Sequence, residues 1–123
     1  MIRVLVINDH EVKDITIENS LEAYYKELEC DCFDIVTATV NGREFDIFCD
    51  DNGLFAEFPR VSAITPNREP MLVGNLLLAH HDHEGNTIGL TEDDIEFLDN
   101  TIFGVFSNVL QKVYPILGNV EYF

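Results

Sequence analysis

The sequence is poor in positive charge. Seven lysines and arginines stand against 23 aspartates and glutamates, a formal net charge of −16. That sum repels nucleic acid and anionic membrane surfaces and favours cationic partners, so direct binding to DNA or RNA is not expected. Long apolar runs are missing. The N-terminal MIRVLVI is too short for a signal peptide and lacks a cleavage pattern. No stretch approaches the roughly 20 apolar residues of a membrane span. Cysteine is scarce: Cys30, Cys32 and Cys49 are odd in number and form no disulfide framework, which fits a reducing cytoplasm. Catalytic signatures are lacking too, with no G-x-S-x-G elbow, no phosphate-binding loop and no G-x-G-x-x-G. The expectation is a protein that is not an enzyme and carries no cofactor.

What is present is a foldable core. Hydrophobic residues make up 46% of the 123, too many for a disordered chain even at this charge. Ile2 to Ile7 reads as a buried strand, NDHE as a turn, and Val12 to Ile17 as a second, antiparallel strand. Asn19 or Ser20 can cap a short amphipathic helix with Leu21, Tyr24, Tyr25 and Leu28 on its apolar face. In FDIVTATVNGREFDIF, Asn41-Gly42 is the preferred chemistry of a two-residue type I′ turn. Pairing Val40 with Arg43 then sets Ala38 against Phe45 and Val36 against Ile47. Thr37, Thr39, Glu44 and Asp46 fall on the opposite face, expected to be wet near the turn. Residues 54–70, with Pro59, Pro66 and Pro70, read as an irregular connection with at most one short strand.

Met71 to Ala79 returns to the sheet, DHEG turns the chain, and Asn86 to Leu90 makes a short strand. Thr91 and Asp94 then resemble a capping box, and Ile95, Leu98, Ile102, Val105, Val109 and Val113 recur at helical spacing up to Pro115. The order β-β-α-β-β-β-α predicts one α+β domain over residues 1–123. It would have a mostly antiparallel sheet, a short helix and a long C-terminal helix with its tail over 91–123, packed on one face.

Two clusters carry candidate chemistry. In AHHDHEGN, His81 and His83 are spaced to share one side of a strand and are the metal candidates, with Asp82 or Glu84 nearby. No second element supplies ligands at an identifiable spacing, so the stretch reads as a solvated turn. Cys30-x-Cys32 is not a redox or zinc spacing, and these cysteines read as small apolar residues. The second cluster is acidic: Glu44, Asp46, Asp50, Asp51, Glu92, Asp93 and Glu96 could form a partner-binding surface. Carboxylates about 5–6 Å apart on a helix, or roughly 6.5–7 Å apart on a strand, resemble successive phosphates. A contiguous chain of them could imitate a DNA backbone.

SLEAYYKEL after an N-terminal hairpin, then CDDNGLF, MLVGNLLLA and DHEGNTIGLTEDDIEFL, follow one another in an order that resembles the domain of unknown function family 3846. The resemblance covers roughly residues 1 to 100. It implies an accessory protein of a phage, plasmid or conjugative element, of the sort that accompanies antirestriction genes. It brings no catalytic residues. The matching positions are Gly53, Gly74, Asn75, Gly85, Leu90 and Thr91, which read as turns, a bend and a helix cap.

Together these readings predict a small acidic binding or regulatory protein whose partner is a protein, with a basic surface a suitable match. An acidic DNA mimic that occupies the cleft of a DNA-binding enzyme is the alternative, and metal binding through His81 and His83 is the third reading. Val105, Phe106, Val109 and Tyr114, with Tyr122 and Phe123, exceed what one helix face needs. They suggest a homodimer through the C-terminal helix, or a groove for a partner.

Overall fold

The computed structural model describes residues 1–50, 60–108 and 111–122, apart from the side chain of Ser107. Along the chain run β1 (Ile2–Ile7), β2 (Val12–Ile17), α1 (Leu21–Leu28), β3 (Phe33–Val40), β4 (Arg43–Asp50), β5 (Val61–Ile64), β6 (Pro70–Val73), β7 (Leu76–His81), β8 (Thr87–Ile88), α2 (Glu92–Asp99), β9 (Ile102–Ser107), β10 (Lys112–Leu117) and β11 (Val120–Tyr122). One sheet has the order β11-β3-β4-β7-β1-β2, with β8 on β7, and every pairing in it is antiparallel. A second sheet runs β6-β5-β10-β9, with β10 parallel to β5.

The hairpin β3–β4 has the register its turn demands. Val40 faces Arg43, Ala38 faces Phe45 and Val36 faces Ile47. Asn41 and Gly42 both have positive φ, 50° and 89°, as a type I′ turn requires. Alternation along the strands then feeds two cores. Leu5, Ile7, Phe45, Ile47, Leu76 and Leu78 point to one side of the large sheet, where Ile95 and Leu98 of α2 and Ala63, Leu72 and Leu117 of the second sheet close over them. Val4, Val6, Phe48, Leu77 and Ala79 point to the other side, under Tyr24 and Leu28 of α1. The large sheet is thus buried on both faces, which is why β1 and β7 read as unbroken apolar runs.

The expected α+β architecture with a long C-terminal helix is overturned. The protein is mostly β, and both helices are short, at eight residues each. They also sit on opposite faces of the large sheet rather than on one. α2 ends at Asp99 with Asn100 as its cap. The chain then runs through β9 and β10, where Ile102 pairs with Leu117 and Phe106 with Val113. The physical reason lies in composition. Ile102, Phe103, Val105, Phe106, Val113, Tyr114 and Ile116 favour a pleated surface, and Gly104 costs a helix about 1 kcal/mol relative to alanine. Of the apolar residues at helical spacing, Ile95 and Leu98 lie in α2, whereas Ile102 and Val105 belong to β9 and Val113 to β10. Of the residues assigned to that helix and tail, Val109 and Phe123 lie outside the described residues, as do residues 51–59 within or beside the expected irregular connection.

Candidate functional site

β7 ends in two histidines, and strand alternation sends them to opposite faces of the sheet. His80 points toward α2. Its Nε2 lies 3.0 Å from Asp94 Oδ2, and its ring stacks on Phe45 at 4.9 Å between centroids. Asp94 is the third residue of α2 and completes a capping box with Thr91: its carboxylate accepts the Thr91 backbone N–H at 2.9 Å, and its own N–H donates to the Thr91 hydroxyl at 3.2 Å. Arg43 donates to Asp93 at 3.0 Å and to Asp94 at 3.3 Å, with its guanidinium 4.0 Å over the Phe97 ring. Burial opposes ionisation of Asp94, but the hydrogen bonds from Thr91 and then the His80 contact hold its carboxyl below the ordinary range.

His81 points the other way. Its Nδ1 is 2.9 Å from Asp46 Oδ2, and its Nε2 is 3.7 Å from Glu44 Oε1. The Thr37 hydroxyl donates to the second oxygen of Asp46 at 3.0 Å. The hydrogen bond to Asp46, and then its charge, raise the His81 imidazole above its ordinary value. Asp46 itself is buried, at 5% exposure, so the wet face expected of the hairpin is interrupted there. Deeper along the same face Phe48 is covered by α1.

The turn after β7 is built by Asp82. Its Oδ1 accepts the backbone N–H groups of Glu84 and Asn86, both at 2.9 Å, and its backbone N–H donates to Asn86 O at 2.9 Å. The Asn86 N–H, first among these contacts, pulls the Asp82 carboxyl below its usual range. Gly85 takes the positive φ of 85° that the turn needs. His83 stands exposed in this turn, off the end of the strand, so the two metal candidates His81 and His83 do not share a strand face. Among the described residues, no three histidine, cysteine or carboxylate groups come together as a metal-ligand set. The cysteines are dispersed as well: Cys49 is buried in the core beneath α2, whereas Cys30 packs on the α1 side.

Arg43, Glu44, His80, His81, Asp82 and His83 are among the residues that line an open groove of about 910 Å³ at this end of the sheet. Of the acidic residues singled out from the sequence, Glu44 lines it and the others do not converge on it. Glu44, Asp46 and Asp50 fall at alternate positions of β4, on the α1 side, whereas Glu92, Asp93 and Glu96 belong to α2 on the other. Glu92 is paired with Arg3 at 2.6 Å and Asp93 with Arg43 at 3.0 Å. Asp51 lies outside the described residues. Sequence reasoning missed His80, Arg3 and Arg43 as the groups that engage these carboxylates. The Thr91–Asp94 spacing gave Asp94 as a cap, but Arg43 is 51 residues away in sequence and carries no such signal.

A family model described as Domain of unknown function (DUF3846) matches residues 2–103. The chain belongs to that family. No curated protein and no solved structure matches the chain. The DUF3846 match stops at Phe103, within β9, so β10 and β11 lie beyond it. The family-like positions have structural work here. Gly74 and Gly85 adopt positive φ. The Asn75 side chain donates to Leu28 O and accepts from Arg60. Leu90 N–H donates to Arg3 O at 2.8 Å, across a Gly89 whose added Cβ would meet the Arg3 nitrogen at 2.9 Å. Thr91 caps α2, and Gly53 lies outside the described residues. Among the described residues, no helix is long and apolar enough to cross a membrane.

Proposed function

We propose that this protein is a small acidic binding protein without catalytic activity, whose partner is a protein presenting a basic segment, and that the groove beside His80 and His81 receives that segment. The observation that carries the reading is how the ionisable groups there are spent. Asp46 is engaged by Thr37 and His81, and Asp94 by Thr91, His80 and Arg43. A general base has to be free to take a proton from a substrate within reach. Groups fixed in pairs suit recognition better, because little order is lost when a partner arrives. Glu44 and Asp82 line the groove, and Arg43, which also lines it, is held by Asp93 and Asp94, which leaves the groove the sign that attracts lysine and arginine. An accessory role in a phage or conjugative element rests on the family resemblance.

The DNA-mimic alternative draws less support. Its carboxylates divide between two faces of the sheet, and Glu92 and Asp93 are already neutralised by arginines. Metal binding through His81 and His83 draws less still: both line the groove, but among the described residues no third ligand joins them in a set, and His81 Nδ1 already faces Asp46.

The test is a titration of isotope-labelled protein with an arginine-rich peptide, read by amide chemical shifts. Shifts concentrated at Glu44, His81 and Asp82, reversed by salt and weakened by Glu44→Gln, are expected. Shifts scattered over all acidic surfaces would sink the groove assignment. Recovery from lysate of a DNA-processing enzyme that duplex DNA competes away would return the mimic to the front.

A further inference from the structure

Edge strands present unpaired N–H and C=O groups, and sheets blunt them with charge, proline, shortness or cover. Besides the two-residue β8, four strands end the two sheets among the described residues: β2 and β11 in the larger, β6 and β9 in the smaller. β2 carries Lys13 and Asp14, which are held by Glu27 and Arg3. β11 is three residues long and includes Glu121. β6 opens with Pro70 and spans four residues. β9, with the sequence IFGVFS, has six residues, no charge and no proline. It is the one unguarded edge of the four.

Its side chains are unusually bare for their size. Phe103 is 43% exposed and Phe106 57%, and Val113, the partner of Phe106 on β10, is 60% exposed. The β9–β10 stretch is free of acid as well, and the charged side chain that shares a cavity with Phe103 is basic, Arg68. From Asn100 to Val120 the sequence holds no aspartate or glutamate, in a chain that has 23. The single charge in that stretch, Lys112, is paired with Asp9 at 2.9 Å.

Charge identifies the occupant. A basic partner gains nothing from a neutral strand and is drawn to the acidic faces instead. A second copy of this chain, itself at −16, is repelled by every acidic face and can approach where the acid is missing. We infer that β9 pairs edge to edge and antiparallel with β9 of a second copy about a twofold axis, joining two four-stranded sheets into one of eight. Phe103 and Phe106 lie an odd number of residues apart and project to opposite faces, so the pairing shields both. A six-residue strand pair is small beside the ~1,200–2,000 Å² of a stable interface, so the dimer is reversible and depends on concentration. This assignment stands independently of the groove.

Sedimentation velocity over a concentration series tests it. The expected result is a mass that doubles as concentration rises, more readily in salt that screens the residual repulsion. Phe106→Lys, at an exposed position, should weaken association by about tenfold or more while leaving the circular dichroism unchanged. Hydrogen exchange supplies a readout that needs no variant: amides of β9 should slow in concentrated samples and recover on dilution, with β2 and β11 unaffected. Monomer at every concentration up to millimolar overturns the inference. So does a dimer that survives Phe106→Lys with β9 exchanging at one rate throughout, or a β9 protected only when a different protein is added.

Discussion

At the scale of single residues, the two histidines at the end of β7 are adjacent in sequence and differ in their physics. His80 is stacked, half-buried and tied to a helix cap; His81 stands at the surface against a buried carboxylate. Asp94→Asn keeps the shape of the cap but removes the charge that His80 and Arg43 address. We expect it to cost about 1–3 kcal/mol, measured by urea unfolding at neutral pH. Because the folded-state carboxyl of Asp94 lies below its ordinary value of 3.8, its contribution is present above that value. It disappears as pH falls through the folded pKa, so wild type and Asp94→Asn should converge in strong acid. His81 has the opposite sign. Its pKa is raised from 6.5, so its contribution is complete below that value and is lost as pH rises through the folded pKa. The difference in stability between wild type and His81→Gln should therefore be larger in mildly acidic than in alkaline solution. A difference that grows with pH would refute the Asp46 contact as its source. The sequence made His81 visible as a histidine in a polar stretch, but not its partner, because Asp46 is 35 residues away and its burial depends on Phe48 and α1 covering the same face.

At the scale of elements, legibility followed how local the determining chemistry is. Asn41-Gly42 fixes the β3–β4 register by turn geometry alone, and all of Val36, Ala38 and Val40 pair as that turn requires. α1 was equally readable, since Ser20 caps it through a 3.2 Å bond from Ala23 N–H. The start of α2 was legible for the same reason, but its end was not. Asn100 closes it without a glycine, and the β9–β10 hairpin turns through Gln111 at a positive φ of 56°, with no glycine to announce it. Apolar residues spaced three and four apart then matched a helix by coincidence, with the choice made by cross-strand pairs that no local pattern encodes. The second sheet was unreadable for the same reason, because β10 meets β5 in parallel through a long connection. One consequence concerns the cap. Thr91→Ala should cost about 1 kcal/mol, within the 0.5–2 kcal/mol usual for a lost N-cap. Since α2 has only eight residues and buries Ile95 and Leu98, its amides should also exchange faster while those of β1 and β7 stay protected.

At the scale of the whole molecule, the charge and the layering act against each other. Both faces of the large sheet are sealed, by α1 on one side and by α2 with the second sheet on the other, and that burial has to hold together a chain of net charge −16. Of the basic side chains, Arg3, Lys13, Arg43 and Lys112 each hold at least one carboxylate within 4.0 Å or less. Most of these pairs are exposed enough that each is worth only about 0–1 kcal/mol. Salt screens these attractions and the surplus repulsion alike, within a Debye length of about 8–10 Å near physiological strength. The attractions are few and short-ranged, with N–O distances near 2.6–3.3 Å, whereas repulsion among the surplus carboxylates is summed over the whole surface and is screened more completely. Repulsion is therefore the larger of the two losses. Raising monovalent salt from low to physiological strength should increase the melting temperature by a few degrees, on the order expected for about 1 kcal/mol in a domain of this size. Calorimetry at low protein concentration keeps self-association through β9 out of the measurement. A melting temperature that falls with salt would mean that the surface ion pairs, those of Arg3 and Arg43 with α2 among them, outweigh the net charge.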